Sequence, residues 1–327
     1  MTRPLILMSG QWSDVPLEEL ASLVAEWGYQ GMELCSWGHH LNLTACAEDD
    51  SMVQEIMDQF SRFELSIPTL AIHRLSQGMA DFPDASLQRI LPEHLWGDGD
   101  AEGIQQRTTE AMHSAAIVAQ KMGVTVVSGF SGSRIWHRLS GYPYPTQEEI
   151  SQAFAQFAET WHPILDQFQS TGTKYALEVH PGQMAFDIPS AERLLSSLDH
   201  REEIGFTFDP SHFYWMGMDP CEFLLRFPDR IFHVHLKDIA VRLDGRNSLL
   251  NGCLGAGDLR RGWENRAPGR GHIDWESIFR TLNSIHYQGP LSVEIADTGM
   301  DRLKAAEETV EFIQRLNFEP PPENRPH

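Results

Sequence analysis

Four short apolar runs, each ending in carboxylate or imidazole side chains, constrain this sequence more than any other feature. The runs end in Glu178, Asp209, His235 and Glu294. Each is rich in β-branched or aromatic residues and is followed by a loop and a helical pattern, which is typical of a buried parallel strand. The polar residues therefore mark the carboxyl ends of four strands. Only a few architectures bring four such ends together.

Strand-like and helix-like patterns alternate along nearly the whole chain and predict eight β/α units. The first four strands are predicted at 4–8, 31–35, 65–73 and 124–129. The next three are the run that contains Glu178, the run that ends at Asp209 and the run that ends near Lys237, and the eighth strand is predicted at 290–295. The helices are predicted at 16–27, 51–63, 104–122, 147–169, 190–197, after 219–220, at 274–285 and at 303–316.

Eight such units in 327 residues match an α/β fold of the (β/α)₈ TIM barrel type, which carries its catalytic groups at the carboxyl ends of the strands. A doubly wound open sheet is the alternative. It is less favoured because no GxGxxG turn follows an early strand.

A single barrel domain is predicted for residues 1–316. Long stretches at about 74–103, 130–146 and 239–271 interrupt the alternation, and loops of this length are typical of functional faces. The third is rich in glycine and arginine. The last residues, 317–327, are predicted to form a flexible tail because they are polar and proline-rich.

Composition limits the class of partner. The chain has 46 acidic and 25 basic side chains and a formal charge of −21, which repels nucleic acid and anionic membranes. No stretch approaches the roughly 20 apolar residues that span a bilayer, and the first apolar run is too short for a signal peptide. Four cysteines without CxxC spacing favour reduced thiols in the cytoplasm.

The strand ends LEVHPG, FDPSH, HVHLKD and SVEIAD, together with GYQGMEL and GRGHIDW, resemble the sugar isomerase and epimerase family of xylose-isomerase-like TIM barrels. The resemblance covers residues 4–316. It implies one divalent metal ion held by four ligands from strands five to eight, which by motif are Glu178, Asp209, His235 and Glu294. Alternation along the strand places His233 on the same face as His235 and one layer deeper.

The ligand types are consistent with a particular class of metal. Three carboxylates and one imidazole form a mostly hard donor set, so Mn²⁺ is the expected ion, with Mg²⁺, Co²⁺, Zn²⁺ and Fe²⁺ as alternatives. Four protein ligands leave positions for a carbonyl and a neighbouring hydroxyl oxygen of a sugar. The metal would then acidify the adjacent C–H bond and stabilise an enediolate.

The resemblance also implies roles for individual side chains. Glu178 and Glu294 would face opposite sides of the sugar, one taking the proton and the other returning it. His212 matches the DxxH histidine that contacts a substrate oxygen. Lys237 can supply positive charge to an oxyanion, a carboxylate or a phosphate, and His180 is a candidate wall of the site. Further candidates for the substrate pocket are Trp12, Glu33, His73, Arg134 and Trp136.

Each position also has a structural explanation. A single glutamate at a strand end is more often solvated or salt-bridged than a ligand. Four such residues on consecutive strands favour a metal site, because buried charges need a partner. His233 can be a satisfied core histidine, Asp238 can cap the following turn, and Glu33 can pair with a base in the barrel floor.

The leading functional prediction is a divalent-metal-dependent isomerase or epimerase that acts on a keto sugar or related polyol by proton transfer through a metal-stabilised enediolate. The alternative is a lyase of the same family, either an inosose dehydratase or an eliminase acting on 3-keto-glycosides. An apurinic endonuclease is disfavoured because strand four ends in VSGFSG without a histidine and the chain is acidic. A non-catalytic metal-binding barrel stays open. A homo-oligomer is suggested by resemblance.

Overall fold

Eight parallel strands form a closed barrel in the computed structural model, which describes residues 3–139, 141–250 and 254–319. The barrel strands are β1 (Leu5–Met8), β2 (Gly31–Cys35), β3 (Ser66–Ala71), β4 (Val126–Gly129), β5 (Lys174–Glu178), β6 (Ile204–Phe208), β7 (Ile231–Leu236) and β10 (Leu291–Val293). β10 pairs with β1 and closes the ring. The predicted TIM barrel is confirmed.

Helices surround this barrel and follow its strands along the chain. They are α1 (Leu17–Trp27), α2 (Leu43–Glu48), α3 (Asp50–Arg62), α4 (His73–Ser76), α5 (Ala85–Ile90), α6 (Glu93–Trp96), α7 (Ala101–Met122), α8 (Trp136–Leu139), α9 (Gln147–Thr171), α10 (Ile188–Ser197), α11 (Pro210–Trp215), α12 (Pro220–Arg226), α13 (Trp275–Ser284) and α14 (Arg302–Leu316). Local signals set their ends: Thr146 and Glu149 form a capping box at the start of α9.

The interior of the barrel is polar towards its carboxyl end. The strands are buried on both faces because helices cover the outside of a parallel barrel. Inward-facing polar side chains therefore have no access to water and must hydrogen-bond to one another. Polar side chains of the strands with 0% exposure are Glu33, Thr69, Ser128, Thr207, His233, His235 and Ser292.

The stretch at 74–103 is more ordered than the sequence indicates. It contains α5 and α6, and the third strand ends at Ala71 because α4 begins at His73. Asp84 caps α5 by accepting hydrogen bonds from the backbone N–H groups of Ser86 and Leu87. Helices of four to six residues are too short to display a 3.6-residue hydrophobic period.

The stretch at 239–271 contains an antiparallel ribbon, β8 (Asp238–Val241) paired with β9 (Trp263–Arg266). Asp238 closes its base by accepting hydrogen bonds from the backbone N–H of Gly269 (2.9 Å) and from the indole N–H of Trp275 (2.9 Å). Glu264 of β9 pairs at 2.8 Å with Arg242, which directly follows β8, and this ion pair joins the two strands further. The insertion is therefore anchored at its base.

Arg3 and Asn317, which lie near the two ends of the described residues, contact each other at the amino-terminal side of the barrel. The Asn317 amide donates to the Arg3 carbonyl (2.8 Å), and the Arg3 guanidinium donates to the Asn317 side-chain oxygen (3.3 Å). Both residues are buried. The tail prediction falls mainly on residues 320–327, which lie outside the described residues.

We expect Asn317→Ala to lower the free energy of unfolding by about 1–3 kcal/mol, because it leaves buried groups of Arg3 without partners. Urea unfolding followed by circular dichroism measures the change. Asn247→Ala is the control, since its amide donates to Asp244 at the protein surface and its loss is expected to cost at most about 0.5 kcal/mol. Equal stability of the two variants would contradict the expectation.

The structure also bears on the cysteines and on membrane insertion. Cys35, Cys46 and Cys221 are free thiols, whereas Cys253 lies outside the described residues. Within the described ranges, none of the helices has the length and apolar character needed to cross a membrane. A cytoplasmic location stays a prediction.

Candidate metal centre

The four predicted ligands converge at the carboxyl end of the barrel. Glu178 is the last residue of β5, Asp209 is the N-cap of α11, His235 lies in β7, and Glu294 follows β10. One ligand atom from each residue lies within 4.8 Å of the corresponding atoms of the other three. This convergence follows from the closed ring, which brings the ends of neighbouring strands to one mouth.

The atoms that face one another are those that a cation would need. Glu178 Oε1, Asp209 Oδ2 and His235 Nδ1 are buried, and within the described residues none of them accepts a hydrogen bond of good geometry, although His212 Nε2 lies 3.2 Å from Glu178 Oε1 and Lys237 Nζ lies 2.8 Å from Asp209 Oδ2. His235 Nδ1 lies 3.6 Å from Glu178 Oε1 and 3.7 Å from Glu294 Oε2, which is too far for a hydrogen bond. Because buried polar atoms rarely stay unpaired, the cluster can hold a metal ion.

Glu33 lies behind His235 and orients its ring. His235 Nε2 is 3.0 Å and 3.2 Å from the two Glu33 oxygens, so this nitrogen donates to Glu33 and Nδ1 faces the other ligands. Glu33 also contacts His233 Nε2 at 2.8 Å and accepts from Ser292 Oγ at 2.6 Å. The carboxylate is therefore a partner of the barrel floor and not part of the substrate pocket.

The charges of this inner layer are coupled. Burial opposes ionisation of Glu33, but His235 and His233 outweigh it and hold the pKa of this carboxyl well below its usual value. Burial also opposes a charged His235, but Glu33 and Glu178 raise the pKa of the imidazole well above its usual value. Metal ligation requires neutral imidazole, so metal uptake at His235 is expected to release a proton.

We expect Glu33→Gln to weaken Mn²⁺ binding about 10- to 100-fold, the usual cost of losing an outer partner of a ligand histidine. Titration with Mn²⁺, followed by electron paramagnetic resonance of the free ion, measures the dissociation constant. Glu264→Gln is the matched control, because it removes another buried carboxylate, one that pairs with Arg242 and Arg266. If Glu33→Gln and wild type have the same affinity, Glu33 acts only in barrel packing.

Three histidines surround Glu178. His73 Nε2 lies 3.1 Å from its Oε2, and His212 Nε2 lies 3.2 Å from its Oε1. Burial opposes ionisation of Glu178, but the neighbouring imidazoles of His212, His235 and His73 outweigh it and hold the pKa of this carboxyl well below its usual range. Glu178 is therefore a carboxylate with one oxygen held by His73.

Lys237 adds a buried positive charge to the same cluster. Its Nζ lies 2.8 Å from Asp209 Oδ2, 2.8 Å from Glu294 Oε2 and 3.1 Å from His212 Nε2. Burial opposes the charge, but Asp209 and Glu294 outweigh it and raise the pKa of the ammonium. Lys237 in turn lowers the pKa of Asp209, again against the effect of burial. The site therefore contains a permanent ammonium group beside two of its carboxylates.

His180 borders the site on the side of His212, with their ring centres 3.9 Å apart. Burial and the neighbouring His212 lower the pKa of His180 to about 3, so the ring is neutral. Its Nδ1 lies 2.5 Å from the Pro181 carbonyl oxygen, so Nδ1–H is the donor. Nε2 is left as a hydrogen-bond acceptor.

Comparison with known proteins identifies the family. Residues 21–316 match the family model described as xylose isomerase-like TIM barrel. The chain belongs to this family. An inosose dehydratase of Geobacillus kaustophilus is 30% identical over 179 residues, which are 52% of this chain and 54% of the relative. The chain spans about half the length of the curated relatives that it matches.

Two solved structures share the fold. The 3-keto-D-glucoside 4-epimerase YcjR of E. coli has a TM-score of 0.65 and 13% identity, with 96% of this chain and 99% of that chain covered. The IolI protein, solved with a bound zinc atom, has a TM-score of 0.64 and 17% identity, with 96% and 99% covered. At these identities the likeness concerns the fold alone.

Three predicted substrate residues of this xylose isomerase-like barrel do not join the cluster. Trp12 is fully buried, and its ring packs 5.6 Å from that of Trp27. Arg134 is exposed and lines a separate cavity of about 370 Å³ between α7 and α9. Trp136 packs on Phe186 with ring centres 4.7 Å apart. Loop residues carry no strand-end signal that predicts where their side chains lie.

Sequence reasoning missed several residues that contact the cluster. Gln11 donates to Glu294 Oε1 at 3.0 Å, and no sequence signal marks an isolated glutamine after β1. Ser128 Oγ lies 3.3 Å from His73 Nε2 and 2.7 Å from Thr207 Oγ1. Ser128 and Thr207 are small polar residues at inward positions of apolar strands, and this pattern is a sequence signal that would have identified them.

Proposed function

We propose that this protein is a divalent-metal-dependent isomerase or epimerase that moves a proton next to the carbonyl of a keto sugar or related polyol. The observation that carries the proposal is the placement of two glutamates, Glu178 and Glu294, close to His235 Nδ1, at 3.6 Å and 3.7 Å. Removal of a proton from one face of a carbon and its return to the opposite face require two groups that can act as base and acid, such as two carboxylates. A related fold in a 3-keto-D-glucoside 4-epimerase is consistent with this chemistry.

Glu178, Asp209, His235 and Glu294 would hold the metal, and Mn²⁺ is the proposed ion because oxygen donors predominate. When bound, the metal supplies Lewis-acid polarisation of the substrate carbonyl, which makes the neighbouring C–H bond more acidic.

The protein's own side chains then divide the remaining tasks. Glu178 and Glu294 approach the sugar from opposite sides, one accepting the proton and the other donating it. Lys237 Nζ lies 2.8 Å from Glu294, and its charge stabilises negative charge that develops on a substrate oxygen. His212 Nε2 contacts both Glu178 and Lys237, and its role in the proposal is to bind a substrate oxygen. His180 Nε2 is an acceptor for a sugar hydroxyl.

Exchange with solvent tests the proposal directly. The Mn²⁺-loaded protein is incubated in D₂O with keto sugars, inososes and 3-keto-glycosides, and deuterium incorporation is followed by NMR. Incorporation without loss of a fragment supports an isomerase or epimerase and identifies the carbon that reacts. If no member of the panel exchanges in a metal-dependent way, the proposal fails and a non-catalytic metal-binding barrel becomes the better explanation.

A lyase is the second candidate, and the 30% identity to an inosose dehydratase over 179 residues favours it. Proton abstraction beside the carbonyl is common to both reactions. In the lyase, the resulting carbanion expels a leaving group from the adjacent carbon, and an acid protonates that group. In the D₂O experiment, release of water from an inosose, or of the aglycone from a 3-keto-glycoside, would assign the protein to the lyases.

A further inference from the structure

A basic cavity of about 440 Å³ lies beside the metal centre, where the chain leaves β2 and β3. Among its lining residues are Arg74, Arg89, His94, Ser36 and Trp37, and none of the described residues that line it is an aspartate or a glutamate. Both guanidinium groups belong to exposed residues, so they are accessible from solvent. Such a cavity is unexpected on a protein with a formal charge of −21.

Within the described residues, neither of the two arginines forms an ion pair with a carboxylate. The Arg74 guanidinium lies over the ring of Trp37, 5.3 Å from its centre, and Arg89 donates only to Ser86 Oγ at 3.2 Å. Arg62, by contrast, pairs with Glu18 at 2.7 Å. A guanidinium group without an ion-pair partner is able to bind an anionic ligand.

An unused hydroxyl lies in the same cavity. Ser36 Oγ is buried and has no hydrogen-bond partner within the described ranges. A hydroxyl can donate to an oxyanion, and guanidinium groups bind carboxylates and phosphates through two parallel hydrogen bonds. The donors of this cavity are therefore consistent with one oxyanion.

The cavity is close to the metal centre. Arg74 directly follows His73 in the chain, and His73 Nε2 lies 3.1 Å from Glu178. Trp37 forms a shared wall, because its ring meets the His73 ring edge-on with centres 6.3 Å apart. Its position is held by a hydrogen bond from its indole N–H to the Gly10 carbonyl (3.0 Å).

We propose that Arg74 and Arg89 bind the anionic group of an acidic sugar, a phosphate or a carboxylate, while the carbonyl end of that sugar lies at the metal centre. The inference about the carbonyl end rests on the proposed function. The anion site itself does not, since it depends only on the cavity and its unpaired donors. Acidic sugars are then the substrate class, and the arginine pair offsets the repulsion that the acidic protein exerts on them.

Binding of inorganic phosphate to the metal-free protein tests the anion site by itself. With chelator present, ³¹P NMR line broadening is measured for wild type, Arg74→Gln, Arg89→Gln and the control Arg62→Gln. We expect saturable broadening for wild type and the control, and an affinity loss of about 10-fold or more for each cavity variant, as for a charge-assisted hydrogen bond. Phosphate affinity that is equal in all four proteins would overturn the anion site.

Exchange in D₂O tests the substrate class. The Mn²⁺-loaded proteins are assayed with a ketose phosphate, a keto sugar acid and the matching neutral ketose. We expect wild type to prefer at least one acidic sugar, and each cavity variant to raise KM for that sugar about 10- to 100-fold with the loss in KM and not in kcat. Preference for the phosphate or for the acid identifies the anionic group.

The two experiments separate two kinds of failure. Phosphate binding that depends on Arg74 and Arg89, without exchange of any sugar, would leave the anion site standing and remove the proposed function. Exchange of neutral and acidic sugars with equal kcat/KM, unaffected by either variant, would keep the function and overturn the role of the arginines.

Discussion

Glu294→Gln is expected to reduce metal-dependent deuterium exchange by about 10²- to 10⁴-fold, the usual contribution of one acid–base group. The substitution keeps the shape of the side chain and the acceptor for the Gln11 amide, which contacts Oε1 at 3.0 Å. It removes the carboxylate that lies beside Lys237. The exchange rate measured by NMR in D₂O, at saturating Mn²⁺, gives the effect.

Glu203→Gln is the matched control for this experiment. Its side chain has the same 13% exposure as that of Glu294 and likewise pairs with a cation, Arg201, at 2.9 Å. It precedes β6 and so lies at the amino-terminal end of the barrel, away from the metal centre. We expect exchange in this variant to match wild type. Equal rates for Glu294→Gln and wild type would remove Glu294 from the chemistry.

Asp209→Asn is expected to weaken Mn²⁺ binding by more than about 100-fold. Loss of an outer partner of a ligand costs up to about 100-fold, and this substitution alters a ligand itself. The helix α11 should stay intact, because asparagine caps a helix as well as aspartate does. Mn²⁺ at about 100 times its dissociation constant stabilises wild type by about 2.7 kcal/mol. Calorimetry should therefore show a rise in Tm on the order of 5 °C in wild type, and a rise of less than about 1 °C in the variant at that concentration.

Asp219→Asn is the control for Asp209→Asn because both aspartates cap helices in the same way. Asp209 accepts from the Ser211 N–H and Asp219 from the Cys221 N–H, each at 2.9 Å. We expect the control to bind Mn²⁺ as wild type does. Removal of metal by a chelator should abolish exchange in wild type, and Mn²⁺ should restore it. Exchange that survives chelation would contradict a metal-dependent mechanism.

The fold could be predicted from the sequence because its signals are local. The strand Gly31–Cys35 and the helix Gln147–Thr171 follow from alternation of apolar runs with helical periods. The short helices of 74–103 and the ribbon of 239–271 could not be predicted in the same way. Their order comes from contacts such as that between Asp238 and Gly269, which join residues far apart in the chain.

The candidate ligands could also be named from sequence, since a ligand at the end of a parallel strand needs only the closed ring to reach the others. For Glu33 the sequence offered pairing with a base in the barrel floor as one of two alternatives, but it did not name the partners. Strand alternation places it inside the barrel, but only the ring pairs it with His233 and His235, about 200 residues later. For the same reason the sequence did not distinguish Trp12, which is in the core, from residues that reach the site.

The sequence by itself determined the (β/α)₈ barrel and the four side chains at its mouth, because hydrophobic periodicity and strand ends are properties of short segments. Tertiary structure alone decided which partners surround those side chains. It placed Gln11 on Glu294 and Lys237 between two carboxylates, and it left Arg74 and Arg89 facing one cavity. The physical reason is that burial and electrostatic pairing depend on distances through space, which chain spacing does not encode.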